Sequence, residues 1–226
     1  MIDDTWIIIP AYNEEGSIGQ VLEDFRGKPF SVLVVDDCSR DNTKSVALSY
    51  PITLVTHIIN LGQGAALQTG FEYVTQYTDA KYVVTFDSDG QHDVNDIRNL
   101  IEPLMNCGFD VSLGSRFLDT NRLIDIPVAK WIVLKLGILF TRLTTGLKVT
   151  DTHNGLRGFS IEALRKINIS HDRMAHASEI LMQVSKHNIR WVEVPVAIRY
   201  TEYSKKKGQS VFNVFDILWD LFFGRD

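Results

Sequence analysis

The chain has 226 residues, 45% of them apolar and 23% charged, with a formal net charge of −5. This suits one large soluble domain or two small ones with a sizeable core, and the acidic balance excludes the footprint of a nucleic-acid binder. Only two cysteines occur, Cys38 and Cys107, with neither a CxxC nor a Cys/His metal spacing, which excludes a disulfide framework and fits a reducing cytoplasm. The opening MIDDTWIIIP is acidic and runs straight into a strand, unlike a secretory signal, so a cytoplasmic protein is expected.

WIIIP reads as a buried strand, followed by a helix from about Glu15 to Phe25. FSVLVVDD is a second strand, and DNTKSVALSY supplies an Asp/Asn cap and a short helix. ITLVTHI is a third strand, and GAALQTGFEYVTQY a helix with its apolar residues at helical spacing. KYVVTFD makes a fourth strand, a helix covers about 94–106, and FDVSLGSR is a fifth strand. Continuous apolar strands separated by helices predict an α/β fold: a mostly parallel sheet with helices on both faces. Ligands in such sheets bind beyond the carboxyl ends of the strands, where this chain carries PAYNEE, DDCSRDN and DSDGQHD.

After about residue 120 the alternation ends. A loop, an apolar helix, the irregular VTDTHNGLRGFS and a helix around 176–187 follow, then a strand WVEVPVAIRY, a basic loop and a final helix. No linker or repeat separates the halves, so a single domain is expected. VAKWIVLKLGILFTRL (128–143) is interrupted by Lys130, Lys135 and Arg142, and VFNVFDILWDLFF (211–223) is short. Neither reaches the roughly 20 apolar residues of a spanning helix.

Asp87, Asp89 and Gln91 lie at alternate positions just past a buried strand, and an extended chain would put them on one side. Carboxylate and amide oxygens suit a hard cation, Mg²⁺ or Mn²⁺, that keeps positions open for phosphate oxygens. The structural alternative is an acidic turn built on Asp89-Gly90. His92 reads as a hydrogen-bonding neighbour of this set. Asp36, at the end of the second strand, can accept a hydrogen bond from a base or ribose, while Asp37 and Asp41 read as caps for the next helix. In NLGQGAALQTG the third glycine of a dinucleotide fingerprint would fall at Leu67, so its glycines read as a tight strand-to-helix turn.

IIIPAYNEEGSI, VVDDCSRDNT, NLGQGAALQTGF, DSDGQHD and DTHNGLRGF occur in that order. Together they resemble family 2 glycosyltransferases, in particular the dolichyl-phosphate-mannose-synthase-like branch, through about residue 205. The resemblance implies a GT-A-type fold and metal-dependent, inverting transfer of a sugar from a UDP- or GDP-sugar donor. By motif, Pro10, Tyr12, Glu14, Val34 and Asp36 would line the base and ribose pocket. Asp87, Ser88, Asp89 and Gln91 would form the metal-and-diphosphate motif, with Arg116 near the sugar or diphosphate. About 1–118 would be the nucleotide-binding half, about 119–205 the acceptor half, and 206–226 an amphipathic helix. The branch usually reads SGFR where this chain has NGLR (154–157), which leaves the acceptor open.

A hydroxyl acceptor, as on a lipid-linked or nascent glycan, needs a general base, for which Asp151 and Glu179 are the candidates. A polyprenyl phosphate is already anionic and needs cations instead, for which Arg157, Arg199 and Lys205 are suited. Two other classes compete. A haloacid-dehalogenase-type phosphohydrolase wants Thr or Val where Gln91 stands, and a non-catalytic nucleotide-sugar-binding subunit has no need of an intact Asp87 and Asp89. In 211–223, Asn213, Asp216 and Asp220 form one polar stripe on an otherwise apolar helix. That helix fits either peripheral contact with a membrane, aided by Lys205 to Lys207, or packing on its own domain or on a second subunit as a homodimer.

Overall fold

The computed structural model describes residues 2–119, 128–152, 154–170 and 176–199. Among the described residues, seven strands form one sheet in the order β3-β2-β1-β4-β6-β5-β7. They are β1 (Thr5–Ala11), β2 (Ser31–Asp36), β3 (Thr53–Thr56), β4 (Tyr82–Thr85), β5 (Val111–Ser115), β6 (Arg157–Ser160) and β7 (Trp191–Pro195). All neighbouring pairs are parallel except those made by β6, which runs antiparallel to both β4 and β5. The expected mostly parallel sheet is therefore present. Its antiparallel strand comes from RGFS, which sequence reading left irregular.

Strand alternation divides the core between two faces. Ile8, Leu33, Val35 and Val83 point to one side, under α3 (Gln63–Tyr77), α6 (Ile161–Leu164) and α7 (His176–Lys186). Ile7, Ile9, Val34 and Val84 point to the other, against α1 (Ile18–Asp24) and α4 (Asp96–Asn106), with Ala47 of α2 (Thr43–Ala47). A strand apolar on successive residues can only be buried on both sides, and this layering is the consequence. The eighteen-residue α5 (Val128–Thr145) packs on α7. Its Leu136, Leu139 and Leu143 are exposed at helical spacing, beside exposed Lys135 and Arg142. Among the described residues no helix is long and apolar enough to cross a membrane.

Because six strands run the same way, Ala11, Asp36, Thr56, Thr85, Ser115 and Pro195 end at one edge, and β6 starts there at Arg157. That edge gathers the polar motifs. After β7, residues 196–199 follow the turn beyond β4. Arg199 N donates to Gln91 O at 2.8 Å, its guanidinium pairs with Asp93, and Ala197 N donates to Asp96 Oδ2 at 2.7 Å. Lys205, the Lys205–Lys207 run and the helix expected over 211–223 lie outside the described residues.

Candidate active site

The chain leaves β4 into Asp87 and turns at once. Gly90 takes φ 76°, a left-handed conformation that glycine adopts without strain. Gln91 folds back on Asp89, its main-chain N donating to Oδ1 at 3.0 Å and its Nε2 to Oδ2 at 2.7 Å. The extended arrangement of Asp87, Asp89 and Gln91 is thus replaced by an Asp-Gly turn, and the carboxylates remain crowded within it. Burial raises the Asp89 carboxyl above its ordinary range, and the charges of Asp87 and Glu14 raise it further, only partly offset by the Gln91 N–H and His92. Glu14, from the loop after β1, therefore belongs electrostatically to this cluster.

Asp87 is held on both oxygens. Gln63 Nε2 donates to Oδ1 at 3.2 Å, and His92 Nε2 lies 2.9 Å from Oδ2. Burial alone would raise this carboxyl. The His92 hydrogen bond and the nearby His92, His176 and Arg157 charges outweigh it and hold the group below the usual carboxylate range. Gly155 backs the same carboxylate, since a Cβ there would meet Asp87 Oδ2 at 2.2 Å. Thr85 Oγ1 fixes that glycine by donating to its carbonyl at 2.6 Å. A small cavity of about 80 Å³ opens here, lined in part by Gln63, Asp87, Asn154, Arg157 and His176. The sequence reading took the NLGQG segment as a turn only, and missed Gln63, which reaches the cluster from the first turn of α3.

At the end of β2, Asp36 is 1% exposed, and Ser39 N donates to its Oδ1 at 3.3 Å. Asp41 stands one residue before Asn42, the N-cap of α2, and accepts from Thr43 N at 3.0 Å and from Glu15 N at 3.1 Å. Asp37 does something else. Its carboxylate accepts from Leu61 N at 2.9 Å, Gly62 N at 2.7 Å and Asn60 Nδ2 at 2.9 Å, and lies 2.7 Å from His57 Nδ1. It fastens the loop before α3, where Gly62 sits at φ 102°, and so sets where Gln63 begins its helix.

Of the other expected donor-site residues, Tyr12 is 37% exposed at the edge, while Pro10 and Ser88 are buried. Glu14 accepts from Ser17 Oγ at 3.0 Å. The Val34 side chain is fully buried in the core.

Arg116, just past β5, donates through Nε to Asp151 Oδ2 at 2.6 Å. The general-base candidate Asp151 is thus an ion-pair partner, buried, with its Oδ1 unpaired. The second candidate, Glu179 on α7, accepts from Ser170 N at 3.0 Å and Ser170 Oγ at 2.8 Å. Arg157 is buried and donates to the carbonyls of Asn154 (3.1 Å), Ala177 (3.2 Å) and Thr152 (3.0 Å). Burial pushes its guanidinium down to about 10, against the pull of Asp87 and Asp151. It ties the NGLR loop to α7 and adds positive charge beneath Asp87.

Among the described residues, no group of three His, Cys, Asp or Glu side chains is arranged to hold a metal ion by itself. The oxygen donors of Asp87, Asp89 and Gln91 nonetheless match a hard divalent cation, and a site with few protein ligands leaves positions for phosphate oxygens.

The model of the family described as "Glycosyl transferase family 2" matches residues 6–168. A UDP-N-acetylglucosamine–dolichyl-phosphate N-acetylglucosaminyltransferase of Methanococcus voltae is 32% identical, over 96% of this chain and 94% of that protein. A dolichol-phosphate mannosyltransferase of Pyrococcus furiosus is 28% identical, over 91% of this chain and 60% of its own. In fold, the chain is similar to glucosyl-3-phosphoglycerate synthase of Mycobacterium tuberculosis, solved with Mn²⁺, UDP and phosphoglyceric acid. That likeness has a TM-score of 0.69 at 18% identity, over 96% of this chain and 77% of that one. The chain belongs to glycosyl transferase family 2, in its dolichyl-phosphate-mannose-synthase-like branch, and is a GT-A-type glycosyltransferase.

Proposed function

We propose that this enzyme transfers a sugar, with inversion, from a UDP- or GDP-sugar to a polyprenyl phosphate, with a divalent cation held at Asp87, Asp89 and Gln91. The observation that carries the reading is the crowding of Asp87, Asp89 and Glu14 at the strand ends that also hold Asp36. Like charges so gathered are costly unless a cation joins them. A bound Mg²⁺ or Mn²⁺ would supply Lewis-acid stabilisation of the departing nucleotide diphosphate.

The chain's own residues do the rest. Asp36 and Tyr12 orient the base and ribose. Gln63 and His92 keep Asp87 in one rotamer, so that the carboxylate facing the donor does not swing. Arg116, steadied by Asp151, offers positive charge to the diphosphate or sugar. The acceptor oxygen then attacks the anomeric carbon on the face opposite the leaving diphosphate, whose bond to the sugar breaks with inversion.

A phosphate acceptor is favoured over a hydroxyl because neither candidate base is open to an acceptor: Asp151 pairs with Arg116 through Oδ2 while its Oδ1 is enclosed, and Glu179 is buried and accepts from Ser170. An anionic lipid phosphate requires no base, and the names of the polyprenyl-phosphate relatives support the same class. The exposed leucines of α5, flanked by Lys135 and Arg142, support peripheral contact with the inner face of the cytoplasmic membrane. The test is incubation with radiolabelled UDP-N-acetylglucosamine or GDP-mannose, Mn²⁺ and dolichyl or undecaprenyl phosphate. Label partitioning into the organic phase is the expected result. Label passing only to water or to soluble hydroxyl acceptors would overturn the lipid-phosphate assignment.

A further inference from the structure

Glu193 lies in the middle of β7, opposite Leu113 of β5. Its side chain serves neither strand. Oε1 accepts the main-chain N–H of Thr150 at 2.7 Å and of Asp151 at 3.1 Å, two consecutive donors converging on one oxygen. Those same residues make the bonds that organise the end of β5. Thr150 Oγ1 lies 2.6 Å from Ser115 Oγ, and Asp151 Oδ2 takes Arg116 Nε at 2.6 Å and Arg116 N at 3.2 Å. The contact is long-range, 43 residues to Thr150 and 42 to Asp151, so no local preference accounts for it. Burial raises the Glu193 carboxyl, only partly offset by the hydrogen bonds from Thr150 and the Asp151 N–H, and the charge of Asp151 adds to the rise.

We propose that Glu193 is a positioning residue of the transfer reaction: it fixes the Thr150–Asp151 main chain so that Asp151 holds Arg116 at the donor edge. The inference rests on the transferase reading given above. Glu193→Gln keeps an Oε1 able to accept both N–H groups. Glu193→Val removes the acceptor and keeps a strand-favouring side chain. Glu193→Asp draws the oxygen back by one methylene, and serves if the valine variant does not fold.

With UDP-N-acetylglucosamine, dolichyl phosphate and Mn²⁺, the glutamine variant should stay within about threefold of the parent kcat. The valine variant should lose at least about tenfold in kcat, since charge on the departing diphosphate grows in the transition state, and any loss of calorimetric UDP affinity should be smaller than that. Adding Asp151→Asn to Glu193→Val should cost no further activity, since both act through one contact. The second readout needs no turnover. The Arg116 Nε–H resonance, assigned by its loss in Arg116→Lys, should persist in the glutamine variant and broaden or shift in the valine variant. An unmoved resonance, or equal loss of kcat in the glutamine and valine variants, overturns the positioning role. A parent that transfers sugar from no donor would refute the transferase reading, and the resonance then still decides whether Glu193 positions Arg116.

Discussion

Gly155 and Asp87, 68 positions apart in the chain, are packed so closely that a Cβ on the glycine would lie 2.2 Å from one carboxylate oxygen and 2.5 Å from the other. The carboxylate cannot simply swing aside, because Gln63 and His92 hold its two oxygens. Gly155→Ala must therefore break one of those bonds. We expect a loss of at least about tenfold in kcat/KM with a stability loss of about 1–3 kcal/mol, the usual range for overpacking. Urea melts and steady-state assays on the same preparation separate the two effects.

Gln63 offers a test in which the fold is spared. Gln63→Ala removes one of the two donors from Asp87 and nothing from the core. The half-saturating Mn²⁺ concentration for nucleotide binding should rise several-fold, with a melting temperature within about 2 °C of the parent, as for a surface substitution. An unchanged Mn²⁺ requirement would mean that His92 and Gly155 suffice to hold Asp87.

The adjacent carboxylates Asp36 and Asp37 should separate function from stability. Asp37→Ala strands Leu61 N, Gly62 N and the Asn60 amide. Asn60 and Leu61 are exposed and Gly62 is half-buried, so water takes over part of these bonds and the variant should cost about 1–3 kcal/mol. Asp36→Ala removes a single contact at 3.3 Å. It should leave the denaturation midpoint nearly unchanged while weakening UDP or GDP binding at least about tenfold. Calorimetry giving equal nucleotide affinity in the Asp36 variant and the parent would remove it from the donor pocket.

Glu193 predicts a pH dependence of stability. Its folded-state carboxyl is raised by burial and by Asp151. The stability linked to its proton is therefore fully present below the unfolded carboxyl pKa and is lost as pH rises through the folded value. Glu193→Gln has no such loss. The melting temperature of the glutamine variant relative to the parent should be higher at pH 7.5 than at pH 4. A difference independent of pH would contradict the raised carboxyl.

The parallel strands were legible as continuous apolar runs and the long helices by the spacing of their apolar residues, and the acidic turn was legible because charge after an apolar strand is conspicuous. What the sequence hid lies in long-range contacts. RGFS becomes β6 only because β4 and β5 flank it, and its Arg, Gly and Ser give no strand pattern of their own. Asp37, read as a helix cap, instead reaches a loop more than 20 positions away. Gln63 meets Asp87 across 24 positions. The extended reading of Asp87, Asp89 and Gln91 failed because Gly90 permits a left-handed turn. The motif kept its carboxylates together through that turn, which is the Asp89-Gly90 alternative the sequence also offered, so the crowding of charge was readable from the sequence.

Cation binding by Asp87 and Asp89 beside the donor diphosphate is the step on which the proposed reaction depends. Titrating UDP and GDP calorimetrically into the parent and into Asp89→Ala, each with Mn²⁺ and with EDTA, tests it most directly. At least one nucleotide should bind the parent tightly with Mn²⁺ and at least about 100-fold more weakly in EDTA. Asp89→Ala, folded by circular dichroism, should bind weakly and equally in both conditions. Parent affinity that is the same in Mn²⁺ and EDTA, or an Asp89→Ala variant that keeps the metal response, would contradict it.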